Sequence, residues 1–278
     1  MQGPDTGNTE REVSCKERLD MIIDTDRILP TIYDGTKPRK KYVLRLELDG
    51  TKMRISRDII CPSNIRLSYL SELLVRTMGW VGYHEHMFTG SDGVEYVSTS
   101  LKEDWDVYGP HEVEYRDFNE WTLGELLQKK GDHMTWTYDL GDDFTHTLTL
   151  REVHRYMRRK GVVFDPEYCI AGGENCCPPD DVGGICGYEH MLEVLRNPDD
   201  EEYQEYRDWL PEGFDPERFN IHDARLRVWD FQRTVETVRM RMEDEIPPEM
   251  RPAPNMRRQQ SVPRKLRERA AAGGDEEK

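Results

Sequence analysis

Hydrophobic residues recur at every second position in three stretches of the chain. Val43, Leu44, Leu46 and Leu48 alternate loosely with charges after Tyr42. Met134, Trp136, Tyr138 and Leu140 alternate with polar residues, and Phe144, His146, Leu148 and Leu150 repeat the pattern beyond Gly141, Asp142 and Asp143. A period of two sends successive side chains to opposite faces, so each stretch predicts a half-buried strand and the last two an antiparallel hairpin. Asp49-Gly50 and Asp92-Gly93 are hairpin signals, because these residue types tolerate the positive φ of a tight turn. The first predicts a partner strand over about Met53–Ile60 that stops at Cys61 and Pro62. The second joins a strand over Tyr83–Phe88, with His84, His86 and Phe88 on one face, to a return over Val94–Val97.

Elsewhere the period lengthens to three or four. Leu67, Leu70, Leu74 and Met78 predict a helix capped by Ser63 or Asn64 and ended by Gly79. Thr122 and Glu125 have capping-box spacing and open a short helix to about Lys130. Further helices are expected over Tyr188–Arg196, over the acidic residues 199–210, and over residues 224–244 with Leu226, Trp229, Arg233 and Val238 facing inward. Residues 99–120 read as an acidic loop, and Phe214–Phe219 as a packed connector. The expected fold class is α+β: antiparallel hairpins forming a sheet packed by a few helices, in a single compact domain over residues 19–246. Residues 1–18 lack a periodic apolar face and are expected to be disordered, as is the basic tail over 247–278.

Composition narrows the function classes. The formal charge of −16 argues against broad nucleic-acid binding through the folded body, since phosphate contacts need a basic face. The tail is different: seven basic residues between Arg251 and Arg269 face only Glu268, so nucleic acid or an acidic partner is open to it alone. No apolar run reaches the roughly 20 residues of a membrane span. The N-terminus has neither the basic start nor the apolar segment of a secretory signal. An intracellular, cytoplasmic protein is expected, or a nuclear one in a eukaryote, with its six cysteines as free thiols or metal ligands.

Candidate chemistry concentrates between residues 136 and 190. Asp139, Asp142 and Asp143 crowd the hairpin turn, and His146 follows. Carboxylates with an imidazole suit a divalent cation or acid–base work. Tight turns also demand Asp and Gly for their own backbone, and strand parity places His146 among Phe144, Leu148 and Leu150, so a structural reading stands beside the functional one. The loop after Cys169 carries Cys176, Cys177, Asp180, Asp181 and Cys186, with His190 beyond. These are zinc-ligand types without the usual knuckle spacing; Cys169, Cys177 and Cys186 with His146 form the expected set if zinc binds, and buried thiols are the alternative. His84 and His86, two apart on a strand, add imidazoles to the candidate ligands.

Three segments in order, Gly79-Trp80 with His84 and Phe88, Tyr138–His146, and Cys177–Gly184 with Gly187 and Tyr188, resemble the plasmid pRiA4b ORF-3-like family. The resemblance spans about Tyr42 to Phe219. It implies a compact α+β domain of a kind found in plasmid- and insertion-element-borne proteins. Phe144 stands where the family usually has Trp, and Asp180 where it usually has Glu, so ring and carboxylate are kept. Val182 stands where relatives often carry Cys, which leaves Cys186 to substitute in a zinc set. The leading expectation is a soluble binding or interaction module whose Asp/His/Cys pocket, including His84, Asp139, Asp142, Asp143, His146, Asp180 and Asp181, recognises a small molecule, a peptide or a metal. The alternatives are a metal-dependent hydrolase acting on phosphoesters through the Asp139–His146 corner, and a nucleic-acid accessory protein working through the tail.

Overall fold

The computed structural model describes residues 40–108, 112–155 and 168–245, with side chains described as far as 235. The expectations for 1–18, 19–39 and the 247–278 tail lie outside the described residues. Eight strands form one sheet: β1 (Lys40–Leu48), β2 (Ser56–Pro62), β3 (His86–Thr89), β4 (Glu95–Val97), β5 (Tyr115–Asp117), β6 (His133–Tyr138), β7 (Phe144–Arg155) and β8 (Cys169–Glu174). Their order is β5-β4-β3-β6-β7-β1-β2-β8, and every pairing is antiparallel except β4 with β5. Six helices are described: α1 (Leu67–Met78), α2 (Thr99–Tyr108), α3 (Leu123–Leu126), α4 (Gly184–Leu195), α5 (Tyr203–Trp209) and α6 (Ile221–Glu245). The fold is a single α+β domain, as the alternation of apolar residues predicts.

The alternating strands become the middle of the sheet. Tyr42, Leu44 and Leu46 on β1, Trp136 and Tyr138 on β6, and Phe144, His146, Leu148 and Leu150 on β7 are fully buried. Between β1 and β7 the register slips where Val43 faces Glu152 and Leu44 faces Leu150, leaving Arg151 as a bulge. From Arg151 to its end, β7 carries five exposed residues. Leu140 does not continue the inward face of β6; it sits in the turn, 40% exposed. The β1–β2 link is longer than a two-residue hairpin, spanning Asp49–Ile55, and the Leu48 amide donates to the Ile55 carbonyl at 3.0 Å.

Helix α1 is buried on almost every side, because the sheet covers one face and α6 the other. Gly79 ends it with φ 117°, a conformation open to glycine, and its amide returns to Val75. Its N-cap is Arg66 rather than Ser63 or Asn64. No side-chain cap is needed there, since the Leu67 amide finds the Trp121 carbonyl at 3.0 Å. Helix α6 docks through Ala224, Val228, Phe231 and Val235, with Phe231 stacked on Tyr69 at 6.0 Å. Leu226 and Trp229 face outward, 61% and 51% exposed. Among the described residues, 99–120 is not a plain loop but holds α2 and β5. The capping box forms, with the Glu125 carboxylate accepting from the Thr122 amide at 2.7 Å, yet α3 stops at Leu126.

Candidate cation site at the hairpin turn

Three loops meet above the end of the β6–β7 hairpin. The hinge is Trp80, just past the α1 C-cap and 3% exposed. Its ring lies on Tyr138 at 4.4 Å and on Phe144 at 5.3 Å, with His146 edge-on at 5.5 Å. Its indole N–H donates to the Pro178 carbonyl at 2.9 Å, which ties the cysteine loop to the aromatic stack. The Tyr138 hydroxyl donates to Asp180 Oδ1 at 3.0 Å. Burial raises the pKa of that phenol, so it stays protonated as a donor. Farther out, the Gly183 amide donates to Asp142 Oδ2 at 3.0 Å. Gly184 presses so closely on the Asp142 carbonyl that a Cβ there would lie 2.4 Å from its oxygen.

At this junction His84, Asp139 and Asp181 come together, each offering one ligand atom within 4.8 Å of the others. His84 Nδ1 is 3.3 Å from Asp139 Oδ2, and His84 Nε2 is 3.4 Å from Asp181 Oδ1. The three differ in access: the Asp139 side chain is 10% exposed, His84 27% and Asp181 76%. Asp139 Oδ1 is already engaged, accepting from the amides of Gly141 at 2.9 Å and Asp142 at 3.2 Å. This turn contact fixes the carboxylate and points Oδ2 at His84. Asp139 and Asp181 both have left-handed backbones, with φ 60° and 61°. Such geometry is costly for most side chains and readily reached by Asp.

The other predicted residues have separate duties. Asp180 is used by Tyr138 and by the Val81 amide at 3.4 Å, Asp142 by Gly183, and Asp143 by the Thr145 hydroxyl at 2.9 Å. His86 does not share the site with His84. The strand starts only at His86, and its ring turns inward to Ser71 Oγ at 2.7 Å and lies 3.5 Å from Glu72. His146 is fully buried on β7, paired with Trp136 and Leu48. A carbonyl can only accept, so the 3.2 Å contact to Trp136 O assigns the proton to Nδ1; Nε2 has no hydrogen-bond partner. Burial pushes its pKa down to about 3.

Cys169, Cys177, Cys186 and His146 are not gathered into one group among the described residues. Cys169 lies on the edge strand β8 opposite Ile60, Cys177 is buried, and Cys186 is exposed on α4. Two contributors escaped the sequence reading. Trp80 was visible only as part of a motif, although an indole beside a helix-ending glycine is a natural wedge. Arg57, on β2 and 1% exposed, carries no local signal at all.

A mixed sheet backed by helices carries a carboxylate-and-imidazole cluster where two loops close over a hairpin turn, in a single α+β domain. The model of the plasmid pRiA4b ORF-3-like protein family matches residues 40–223, and the chain belongs to that family. It is similar to the uncharacterised protein y4hQ of Sinorhizobium fredii, 29% identical over 167 residues that cover 60% of this chain and 78% of that protein. It is also similar to the crystal structure of MM3350, a protein of unknown function from Methanosarcina mazei. That likeness has a TM-score of 0.56 and 27% identity, and covers 67% of this chain and 98% of the other. Among the described residues no helix is long and apolar enough to cross a membrane.

Proposed function

We propose that the protein is a binding module in which His84, Asp139 and Asp181 hold a divalent cation, and that the cation presents its open side to a small anionic ligand. The observation that carries this reading is the convergence of the three ligand atoms within 4.8 Å at the junction of the family's motifs. One imidazole and two carboxylates suit a borderline or hard ion such as Mn2+ or Zn2+. Asp139 is oriented by its own turn, and Tyr138 and Trp80 brace the loop that carries Asp181, which is the kind of support that metal ligands require. Calorimetric titration of the full chain with Mn2+ tests it, an ion chosen because thiols compete poorly for it. His84→Ala, Asp139→Asn and Asp181→Asn should each weaken binding at least about tenfold with little change in melting temperature. Affinity unchanged from that of the unsubstituted chain in all three variants would overturn the proposal.

A second reading, a metal-dependent phosphoester hydrolase, draws support from the exposure of Asp181, which leaves room beside the cation for water and substrate. Its imidazole would be His84, since His146 lies beneath Trp80. Mn2+-dependent cleavage of a nitrophenyl phosphodiester, lost in His84→Ala, would favour it over simple binding.

A further inference from the structure

Cys176 and Cys177 lie outside the cation cluster, and their surroundings differ from those of an ordinary buried thiol. Cys176 is partly exposed and Cys177 is buried. The two sulfurs belong to adjacent residues, and the Asn175 carbonyl just before them accepts from Arg57. Two guanidinium groups act on both sulfurs, those of Arg57 and Arg227. Arg57 is fixed in place: Nη1 donates to the carbonyls of Ser56, Glu174 and Asn175 at 2.7, 2.9 and 2.9 Å, and its guanidinium lies 3.9 Å from the Phe219 ring centre. Arg227 reaches over Gly79, where a Cβ would lie 3.3 Å from its Nη2 and 3.5 Å from Cys177 Sγ. The loop itself is anchored on both sides of the pair, by the Cys176 amide on Pro216 O at 2.9 Å and by Trp80 on Pro178 O.

Cys61 shows what a structural thiol looks like here. It is fully buried, and burial alone holds its proton on. At Cys176 the neighbouring thiol and the cations outweigh desolvation and favour the thiolate, while Cys177 keeps its proton.

We propose that Cys176 and Cys177 form a reversible vicinal dithiol site for low-molecular-weight disulfides, with Cys176 as the attacking and Cys177 as the resolving thiol. The Cys176 thiolate attacks one sulfur of the disulfide RSSR, forming a Cys176–SR mixed disulfide and releasing RS−. Cys177 then loses its proton and attacks Cys176 Sγ, forming the Cys176–Cys177 bond and releasing the second RS−. The two cysteines are oxidised, RSSR is reduced, and the two protons lost by the cysteines end on the two released thiols. Adjacent Cα atoms sit about 3.8 Å apart across a trans peptide, against roughly 4.4–6.8 Å in ordinary disulfides. The closed ring is therefore strained, and mild reductant reopens it.

The test uses the full chain and oxidised glutathione near neutral pH, read by peptide mass spectrometry. The peptide holding residues 176 and 177 should lose two hydrogens before Cys186 gains glutathione, and dithiothreitol should restore it. In Cys177→Ser the reaction should stop at a glutathione adduct on Cys176. Iodoacetamide labelling of the unmodified chain needs no substitution and should reach Cys176 faster than the more exposed Cys186. Labelling ranked by exposure, with Cys186 first and the 176–177 peptide keeping both thiols after glutathione treatment, would overturn the proposal.

Discussion

Trp80 lies against Tyr138 with the ring planes 13° apart and the centroids separated by 4.4 Å. Both rings end in a polar contact with the same loop, Trp80 to the Pro178 carbonyl and Tyr138 to Asp180. The stack is thus both core and latch, and its two halves can be separated by substitution. Trp80→Ala should cost about 3–5 kcal/mol, because a fully packed indole leaves a cavity. Tyr138→Phe keeps the ring and removes only the donor, so it should cost about 1 kcal/mol. If the latch supports the cation site, Tyr138→Phe should also weaken Mn2+ binding a few-fold. Urea denaturation alongside calorimetry measures both.

His146 is placed to matter for stability and not for the cation. His146→Ala should destabilise the domain by about 2 kcal/mol or more, through lost packing against Trp80 and Trp136. Mn2+ affinity measured well below the melting temperature should be unchanged. A variant that folds normally and loses the ion would contradict this placement.

The same residue predicts an acid response. Its folded pKa lies at about 3, against 6.5 for a free imidazole, so the unfolded chain binds the extra proton first. Its contribution is complete above pH 6.5 and is lost as the pH falls from there towards 3. The full loss is on the order of 5 kcal/mol. Replacing His146 by Leu should flatten stability against pH across that window, in urea melts run at steps between pH 7 and pH 4. Curves of equal slope would show that His146 does not control the response.

Glycines at the loop junction provide a matched comparison. Gly184 has φ 66° and no room for a Cβ beside the Asp142 carbonyl, whereas Gly93, at φ 81°, has no heavy atom within 4 Å of that position. Gly93→Ala should cost about 1 kcal/mol, from backbone strain alone. Gly184→Ala should cost several times as much, because the loop must move off the hairpin turn. Thermal melts of the two variants side by side check the ratio.

The centre of the sheet was legible because burial on one face imposes a period of two, and Trp136, Tyr138, Phe144 and His146 keep it without interruption. Helix α6 was legible as a helix but not in its orientation. Leu226 and Trp229 are the bulkier choices, yet Ala224, Val228, Phe231 and Val235 repeat at four, three and four residues just as well. What decides between the faces is Tyr69, more than 150 positions earlier. Helix α2 was hidden by composition, since Glu103, Asp104 and Asp106 dilute the one-turn pair Leu101 and Trp105. His84 was grouped with His86 by parity, which fails because His84 sits in a bend and the strand begins only at His86. The junction itself could be anticipated from Gly-rich, polar segments needing partners; which three of the seven candidate side chains come together depends on loop hydrogen bonds that sequence does not display.

The left-handed backbones of Asp139 and Asp181 also act as a filter on sequence drift. At φ near 60° the low-cost residues are Gly, Asn and Asp. Glutamate, the obvious exchange for keeping charge, has no short side chain to stabilise that turn, so selection for a negative group and selection for the bend converge on one amino acid at each site. Asparagine is then the natural silent partner: it keeps the bend and discards the charge. On the proposed reading, a chain of this fold bearing Asn at both positions would look intact in every packing respect and lose its cation.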